Sequence, residues 1–348
     1  ASHAASYGNA IKDSYTKRML ISTAGMLMDM GFDEGQEIKQ ILDAAESRVF
    51  SLSQQHLSQV FIPIKDILAE SFDRLDELHK TAGSLRGVAT GFTDLDDTLA
   101  GMQDSNLLIL AARPGIGKTA LALNICRNAA FNQKLPVGFF SLEMSKEELM
   151  DRLLVAQADI DAWKLKTGHL DEDEFTKLSD AMGELYETPI YIDDTPGMSI
   201  LEMRTKARRR QLEKGFKMHF VDYLQLMDSG RHYDNRVQEV SIVSQALKNL
   251  ARELKIPVIA ASQLNRQVEA RGTKKPQLAD LRESGSIEQD ADLVMFLYRP
   301  EDASDLAPGD KVPTKLSIDK NRGGPLREFD MMFNGSQMQF RMTSKQVE

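Results

Sequence analysis

The chain has very little cysteine, since Cys126 is the only one among its 348 residues. A single cysteine cannot form a disulfide within the chain. Long apolar runs are missing too, because no stretch approaches the roughly 20 residues that a membrane-spanning helix needs. No secretory apolar segment opens the sequence. We therefore expect a protein of the reducing cytoplasm that has no membrane partner.

Basic residues are fewer than acidic ones. Lysine and arginine number 43 against 52 aspartates and glutamates, which leaves a formal net charge of -9. This balance argues against a wholly basic protein that coats nucleic acid, although it allows local basic loops inside a ring or groove. With 42% hydrophobic residues, the length suits one large α/β domain and a smaller appendage.

The first 85 residues read as two helical pieces. Residues 1–53 contain two amphipathic segments separated by "GFDEG", which predicts a helical hairpin too small for an independent core. Residues 54–85 read as a linker that carries an amphipathic helix at 62–79. The apolar stripe of this helix is made by Ile64, Ile67, Leu68, Phe72, Leu75 and Leu78. Such a stripe packs either on its own domain or on a neighbouring subunit, and the polar segments on both sides favour the neighbour.

From residue 86 to 348, short apolar runs alternate with helical patterns. Runs such as "NLLILAA", "PVGFFSLE" and "PVIAASQ" are continuous and apolar, which is typical of parallel strands covered on both faces. The last three runs are instead joined by Gly/Pro turns, which predicts an antiparallel meander at one edge of the sheet. The expected fold is a mostly parallel α/β sheet with helices on both faces.

The segment "LLILAARPGIGKTALALNIC" contains a candidate phosphate-binding loop. It supplies a strand, a glycine-containing loop and a helix start in the order that such a loop requires. Ala112 stands where this loop usually begins with glycine, and a methyl group is tolerated there if φ is negative. The expected nucleotide-binding residues are Arg113, Pro114, Gly115, Ile116, Gly117, Lys118, Thr119 and Ala120. Lys118 would reach the β- and γ-phosphates, and Thr119 would bind Mg²⁺.

Three polar residues follow later apolar runs, at the strand ends where such chemistry belongs. Glu143 is a candidate to orient the attacking water, Asp222 to hold the Mg²⁺ shell, and Gln263 to contact the γ-phosphate. A carboxylate at a strand end is often only a helix cap, and Gln263 can equally be a capping or core amide. The position of both carboxylates downstream of a phosphate loop favours catalysis.

Several long strings resemble the bacterial DnaB-type replicative helicases in order and spacing. They include "ATGFTDLDDTLAGM", "ARPGIGKTALALNI", "VDYLQLM", "LADLRESGSIEQDADLVMFLYR" and "DKNRGGP". The resemblance covers residues 86–348, and the hairpin and linker helix are similar to the stem and linker of that family. The globular N-terminal head of the family would precede residue 1, so we expect either a truncated or cleaved chain or a natural short form, and the resemblance does not by itself carry over the functions of that head.

The resemblance implies a RecA-like ATPase in a homo-hexameric ring, with ATP and Mg²⁺ between subunits and single-stranded DNA in the channel. Five residues match functional positions of the family. Lys118 matches the phosphate position, Thr119 and Asp222 the metal positions, Glu143 the water-activating position and Gln263 the γ-phosphate-sensing position. Lys320 and Arg322 match its trans-acting basic pair. The alternative is that these two residues only keep an exposed edge strand soluble.

The DNA contacts of the family are matched by "LRESGS", which places Arg282, Glu283 and Gly285 at the phosphate backbone. Backbone amides and an arginine suit binding that is blind to sequence. Arg266 and Arg271 lie in a second candidate, a channel loop at 264–275. The basic run "RTKARRRQLEK" is denser, but it is predicted to be a solvated helix face away from the strand ends.

The sequence therefore predicts an ATP-driven helicase that moves 5′ to 3′ on single-stranded DNA, with primase and a helicase loader as partners implied by the resemblance. One alternative is a RecA-like recombinase or DNA-dependent ATPase, which would lack the linker helix and the "LRESGSIEQDAD" string. Another is a non-catalytic ring scaffold, which would be expected to have lost Lys118, Glu143 or Arg322.

Overall fold

The computed structural model describes residues 2–32, 85–229, 236–265, 275–300 and 311–343, with isolated positions between 35 and 76. For residues 282–285 it describes the backbone and not the side chains. The chain divides into two compact units, residues 1–82 and residues 83–348.

The first unit contains a long helix, α1, at Ser2–Gly31. The positions described between 38 and 49 are helical, and Arg48 donates a hydrogen bond to Met26 Sδ at 3.0 Å, so a second helical stretch lies beside α1. The positions described between 64 and 76 are helical as well. The boundary at 53/54 falls among residues outside the described ones, so the division of residues 1–85 stays a prediction.

Within the described part of the second unit, nine strands form one sheet. They are β1 (Leu107–Ala112), β2 (Val137–Ser141), β3 (Ile190–Asp193), β4 (Met218–Asp222), β5 (Val258–Gln263), β6 (Leu293–Tyr298), β7 (Lys311–Asn321), β8 (Arg327–Asn334) and β9 (Gln339–Met342). Their order is β3-β2-β4-β5-β1-β6-β7-β8-β9. Strands β1 to β6 pair in parallel, and β7, β8 and β9 continue the sheet as an antiparallel meander.

The helices of this unit lie before and between the parallel strands in the chain. They are α2 (Thr93–Leu99), α3 (Lys118–Arg127), α4 (Lys146–Ala158), α5 (Ala162–Thr167), α6 (Glu172–Tyr186), α7 (Ile200–Lys214), α8 (Arg236–Leu254) and α9 (Gly285–Asp290). Capping boxes at Ser145 and Asp171 define the starts of α4 and α6, because each side chain accepts from a backbone N–H in the first turn. Short 3₁₀ segments cover Leu224–Leu226 and Leu278–Ser284.

The core lies on both faces of the sheet. Side chains alternate along β1, so that Leu108 and Leu110 join a cluster with α3 and α4, while Leu107 and Ile109 join a cluster with α7 and α8. All six residues of β1 are buried, as expected of a central parallel strand covered by helices. The expected α/β fold with an antiparallel C-terminal edge is confirmed. None of the described helices is long and apolar enough to span a bilayer.

Candidate active site

The phosphate loop occupies residues 113–117, between central strand β1 and helix α3. Gly115 and Gly117 have φ values of 77° and 109°, which side chains with a β-carbon rarely adopt. A β-carbon on Gly117 would lie 2.9 Å from Phe340 Cζ, whereas the space beside Gly115 is open. Gly117 caps α3 without a side-chain hydrogen bond, so the first N–H groups of the helix remain available to an anion.

Lys118 and Thr119 converge on Asp222 at the end of β4. The Thr119 hydroxyl donates to Asp222 Oδ2 at 2.6 Å, and Lys118 Nζ lies 3.4 Å from Asp222 Oδ1. Asp222 is 1% exposed, and its Oδ1 accepts no hydrogen bond. The Lys118 ammonium also lies 4.3 Å from the centre of the Tyr223 ring, an aromatic contact that the sequence analysis did not predict. The structure therefore gathers the expected phosphate and metal residues within one cluster.

Glu143 lies two residues beyond β2, next to β4. The Leu142 N–H donates to the Asp222 carbonyl at 2.7 Å, which holds the end of β2 against the metal-binding candidate. The Glu143 side chain is exposed. Burial, together with the charges of Glu143 and Asp222, raises the pKa of Tyr223, so Glu143 is close enough to act on this cluster. Its position suits a base that contacts water at the rim of the site.

Gln263, the last residue of β5, is exposed and is clamped through its backbone by Gln225. The Gln225 amide accepts from the Gln263 N–H at 3.3 Å and donates to the Gln263 carbonyl at 3.2 Å. It also donates to Ser262 Oγ at 2.9 Å. These hydrogen bonds fix the backbone of Gln263 and do not use its side chain. Sequence reasoning missed Gln225, because a glutamine in "VDYLQLM" carries no pattern of its own.

Two arginines tie the phosphate loop to neighbouring segments. Arg113 donates to the Leu264 carbonyl at 2.8 Å, and Arg299 donates to the Gly115 carbonyl at 3.2 Å. The Leu264 N–H donates in turn to the Ala112 carbonyl at 3.1 Å. These hydrogen bonds connect the residue after β5 to both ends of the junction between β1 and the loop. Arg299 was not among the residues predicted for the site.

Lys320 and Arg322 lie at the opposite end of the parallel strands, where β6 begins. Antiparallel β7 pairs Asn321 with Leu293, at the start of β6, whereas the end of β1 pairs with Leu297. This difference of four residues corresponds to about 13 Å along the strands. Lys320 donates to the Glu288 carbonyl, and Arg322 donates to the Gln289 carbonyl at 2.6 Å. Both side chains therefore contact residues 288–292 just before β6, where the parallel strands begin, whereas the phosphate loop follows the end of β1.

The sequence predicts that this pair lies on an antiparallel meander at the edge of the sheet, but the strand that leads to it is not the outermost one. Strand β7 is third from one end of the sheet, because β8 and β9 extend it further. Burial lowers the pKa of the Lys320 ammonium, and the neighbouring charge of Arg322 lowers it further. A half-buried lysine beside an arginine is unlike the solvated cations that protect an edge strand. The solubility alternative is therefore disfavoured.

Three of the predicted DNA-binding residues lie on one continuous segment of the described backbone. Arg282 and Glu283 fall in the 3₁₀ segment Leu278–Ser284, and Gly285 begins α9. Their side chains are not described, so their role stays a prediction. Arg266 and Arg271 lie outside the described residues. The segment is held to the domain by Ile287, which is buried, and by Ser286 Oγ, which lies 2.7 Å from Ser241 Oγ on α8.

The basic run "RTKARRRQLEK" forms most of α7, and five of its six basic residues are ion-paired. Arg204 contacts Glu253 at 2.7 Å, Lys206 contacts Asp193 at 3.0 Å, and Arg209 contacts Glu213 at 2.9 Å. Pairing leaves little free positive charge for nucleic acid. The structure agrees with the interpretation of α7 as a solvated helix face.

Comparison with protein families places most of the second unit in one family. Residues 87–342 match the family described as DnaB-like helicase C terminal domain. The chain is similar to the replicative DNA helicase DnaC of Bacillus subtilis, with 45% identity over 328 residues, which cover 94% of this chain and 72% of that protein. It is also similar to the replicative DNA helicase DnaB of Haemophilus influenzae, with 42% identity over 98% of this chain and 75% of the relative.

Solved structures agree with these sequence matches. One is entitled "The Structure Of A DnaB-Like Replicative Helicase And Its Interactions With Primase"; it matches with a TM-score of 0.80 and 32% identity over 97% of this chain and 78% of the other. A second solved structure, described as an ATPase domain, matches with a TM-score of 0.75 and 36% identity over 81% of this chain and 99% of the other.

Proposed function

Because the chain belongs to the DnaB-like replicative helicase family, we propose that it is an ATP-hydrolysing DNA helicase whose active site is shared between two subunits of a ring. The observation that carries this proposal is that the candidate catalytic residues form two separate groups in one subunit. Lys118, Thr119 and Asp222 meet where the parallel strands end, whereas Lys320 and Arg322 lie where these strands begin. The family match across residues 87–342 disfavours a recombinase, and the retained site residues disfavour a scaffold.

Within one subunit, the phosphate loop binds and orients ATP. Backbone N–H groups at the start of α3 face the phosphates, and the Lys118 ammonium balances the charge that spreads onto the γ-phosphoryl oxygens. Lys118 is held near Asp222 and the Tyr223 ring, at the start of α3. Glu143 orients the attacking water, and Gln263 contacts the γ-phosphate.

The residues present fit a magnesium ion. Asp222 Oδ1 is buried and accepts no hydrogen bond, although the Lys118 ammonium lies 3.4 Å away, and the Thr119 hydroxyl donates to Oδ2. Hydroxyl and carboxylate oxygens are the ligands that Mg²⁺ prefers. Thr119 and Asp222 would hold the ion, which neutralises charge on the β- and γ-phosphates when bound.

Arg322 completes the site of a neighbouring subunit. An arginine supplied in trans stabilises the charge that develops during phosphoryl transfer, and Lys320 assists it. Cyclic symmetry then gives each phosphate loop one such pair. We propose a homo-hexamer, as the resemblance implies, with single-stranded DNA bound in the channel by Arg282, Glu283 and Gly285, and by Arg266 and Arg271.

Four further assignments are proposals, and three of them come from the resemblance. Primase is a partner by analogy with the solved helicase whose title names its interactions with primase. A helicase loader is proposed as a second partner. The expected movement is 5′ to 3′ on the strand in the channel, and the expected location is the cytoplasm.

A strand-displacement assay on a forked duplex, combined with Glu143→Gln, tests the proposal. Replacing the carboxylate with an amide removes the base but preserves shape, so ATP hydrolysis should fall by about 10²- to 10⁴-fold while ATP binding persists. Unwinding should cease in the variant. Glu147→Gln on α4 is the matched control, because this glutamate is also exposed but lies in the first turn of α4, beside Lys146, and not at the end of β2. Unwinding at the wild-type rate by Glu143→Gln would contradict the assignment.

Phe72→Asp tests the linker helix as a contact between subunits. Phe72, Leu68 and Ile64 are 72%, 59% and 76% exposed in the isolated chain, and an apolar stripe of this kind is typical of an interface. A carboxylate at position 72 should weaken ring assembly at least about tenfold, because a charge would be buried without a partner. Native mass spectrometry measures the distribution of oligomers.

Lys65→Asp is the control for this variant, because it puts the same carboxylate on the polar face of the helix. It should assemble normally. Equal assembly of both variants and the wild type would show that the stripe does not contact another subunit.

A further inference from the structure

The Arg322 side chain forms an ion pair with a buried acid, Asp292, which lies just before β6. Arg322 Nη1 is 3.4 Å from Asp292 Oδ1, and the Arg322 N–H donates to the Asp292 carbonyl at 2.9 Å. The same residue therefore holds both the backbone and the head group of the arginine. The side chain of Asp292 is 10% exposed, whereas that of Arg322 is 54% exposed.

Asp292 is itself held by contacts from two other elements. Its Oδ2 accepts from the Leu107 N–H at 2.8 Å and from Lys248 Nζ on α8 at 2.5 Å. Lys248 Nζ also donates to the Ser105 carbonyl at 2.8 Å. A carboxylate with this many donors cannot rotate freely. The acid is thus a rigid anchor that is built from the central strand and a core helix.

We infer that Asp292 is the positioning residue that aims Arg322 at the phosphates bound by the adjacent subunit. This inference rests on the proposed trans role of Arg322. Arginine has many side-chain conformations, and an arginine that must meet developing charge across an interface gains from being oriented beforehand. The two contacts of the guanidinium, to Asp292 and to the Gln289 carbonyl, leave other N–H donors of its five for the phosphate.

Asp292→Asn tests the inference, because the amide oxygen can still accept from the Leu107 N–H while the charge is lost. The expected result is a fall in kcat of about 10- to 100-fold, the range for a misplaced reacting group, with KM for ATP and binding of a fluorescent nucleotide unchanged. Asp193→Asn is the matched control. Asp193 also accepts from a backbone N–H, that of Thr195 at 3.1 Å, and from a lysine, Lys206 at 3.0 Å, but it lies at the end of β3 and is not among the contacts of Arg322 given above, so kcat should stay near the wild-type value. Equal losses in both variants, or a rise in kcat for Asp292→Asn, would overturn the inference.

Mixed rings separate a defect in aiming Arg322 from a defect within the subunit. In rings that combine Asp292→Asn with Lys118→Ala subunits, an Asp292→Asn subunit can receive an intact Arg322 from its neighbour. Its turnover should rise toward the value for wild-type subunits mixed with Lys118→Ala. No recovery would overturn the inference if Arg322→Ala is rescued in the same way. If Arg322→Ala is not rescued either, the proposed trans site itself fails.

The double variant Asp292→Asn, Lys248→Met covers the case in which Asp292→Asn alone does not fold. It removes both charges together, which avoids leaving an unpaired ammonium against the core. Its thermal unfolding should resemble the wild type, and its kcat should be reduced as for Asp292→Asn. A stable double variant with wild-type kcat would overturn the inference.

Discussion

Lys118→Ala should reduce ATP hydrolysis by at least about 10²-fold, the loss typical of removing one group that stabilises charge in the transition state. The reason is local. The ammonium lies at the start of α3 beside Asp222 and the Tyr223 ring, where the phosphates of the nucleotide would lie. The Thr119 hydroxyl still donates to Asp222, so the fold of the loop should survive. Steady-state hydrolysis with DNA present is the measurement.

Lys134→Ala provides a matched control for this prediction. Lys134 Nζ also lies over an aromatic ring, 4.8 Å from the centre of Phe131, but it is outside the phosphate loop. Its removal deletes a cation and a ring contact without touching the site, so hydrolysis should be near normal. DNA-stimulated turnover by Lys118→Ala close to the wild-type rate would refute the nucleotide site.

Arg322→Ala should lower hydrolysis by about 10³- to 10⁵-fold, the range observed for an arginine supplied in trans, while nucleotide binding is largely kept. The arginine acts on charge that develops in the transition state, and its loss therefore affects kcat more than affinity. Equilibrium binding of a fluorescent nucleotide and single-turnover hydrolysis measure the two effects separately.

Mixing Arg322→Ala with Lys118→Ala subunits identifies the subunit that supplies the arginine. One type of interface in a mixed ring combines an intact phosphate loop with an intact arginine, so activity should return although neither variant hydrolyses ATP alone. Single-turnover measurement is preferred, because one competent interface needs to react only once even if the ring couples its sites. Absence of activity after demonstrated subunit exchange would rule out the trans role.

The sequence by itself determined the fold class and the core of the nucleotide site, because both depend on local signals. Continuous apolar runs indicate parallel strands, and a strand, a glycine-containing loop and a helix start are contiguous in residues 107–127. Glu143 follows β2, and Asp222 and Gln263 end β4 and β5, which pair in parallel. Parallel strands bring their carboxyl ends to one end of the sheet, so the placement of all three residues there could be predicted without coordinates.

The tertiary structure alone decided where Lys320 and Arg322 lie and what holds them. Their distance from the phosphate loop depends on the reversed direction and the register of β7 against β6, and register is a long-range property that no short window of sequence contains. The same holds for Asp292, whose carboxylate joins Leu107, Lys248 and Arg322 from three separate segments, and for Gln225, which clamps a strand 38 residues later in the chain. Such contacts arise from packing between elements, and local propensity carries no information about them.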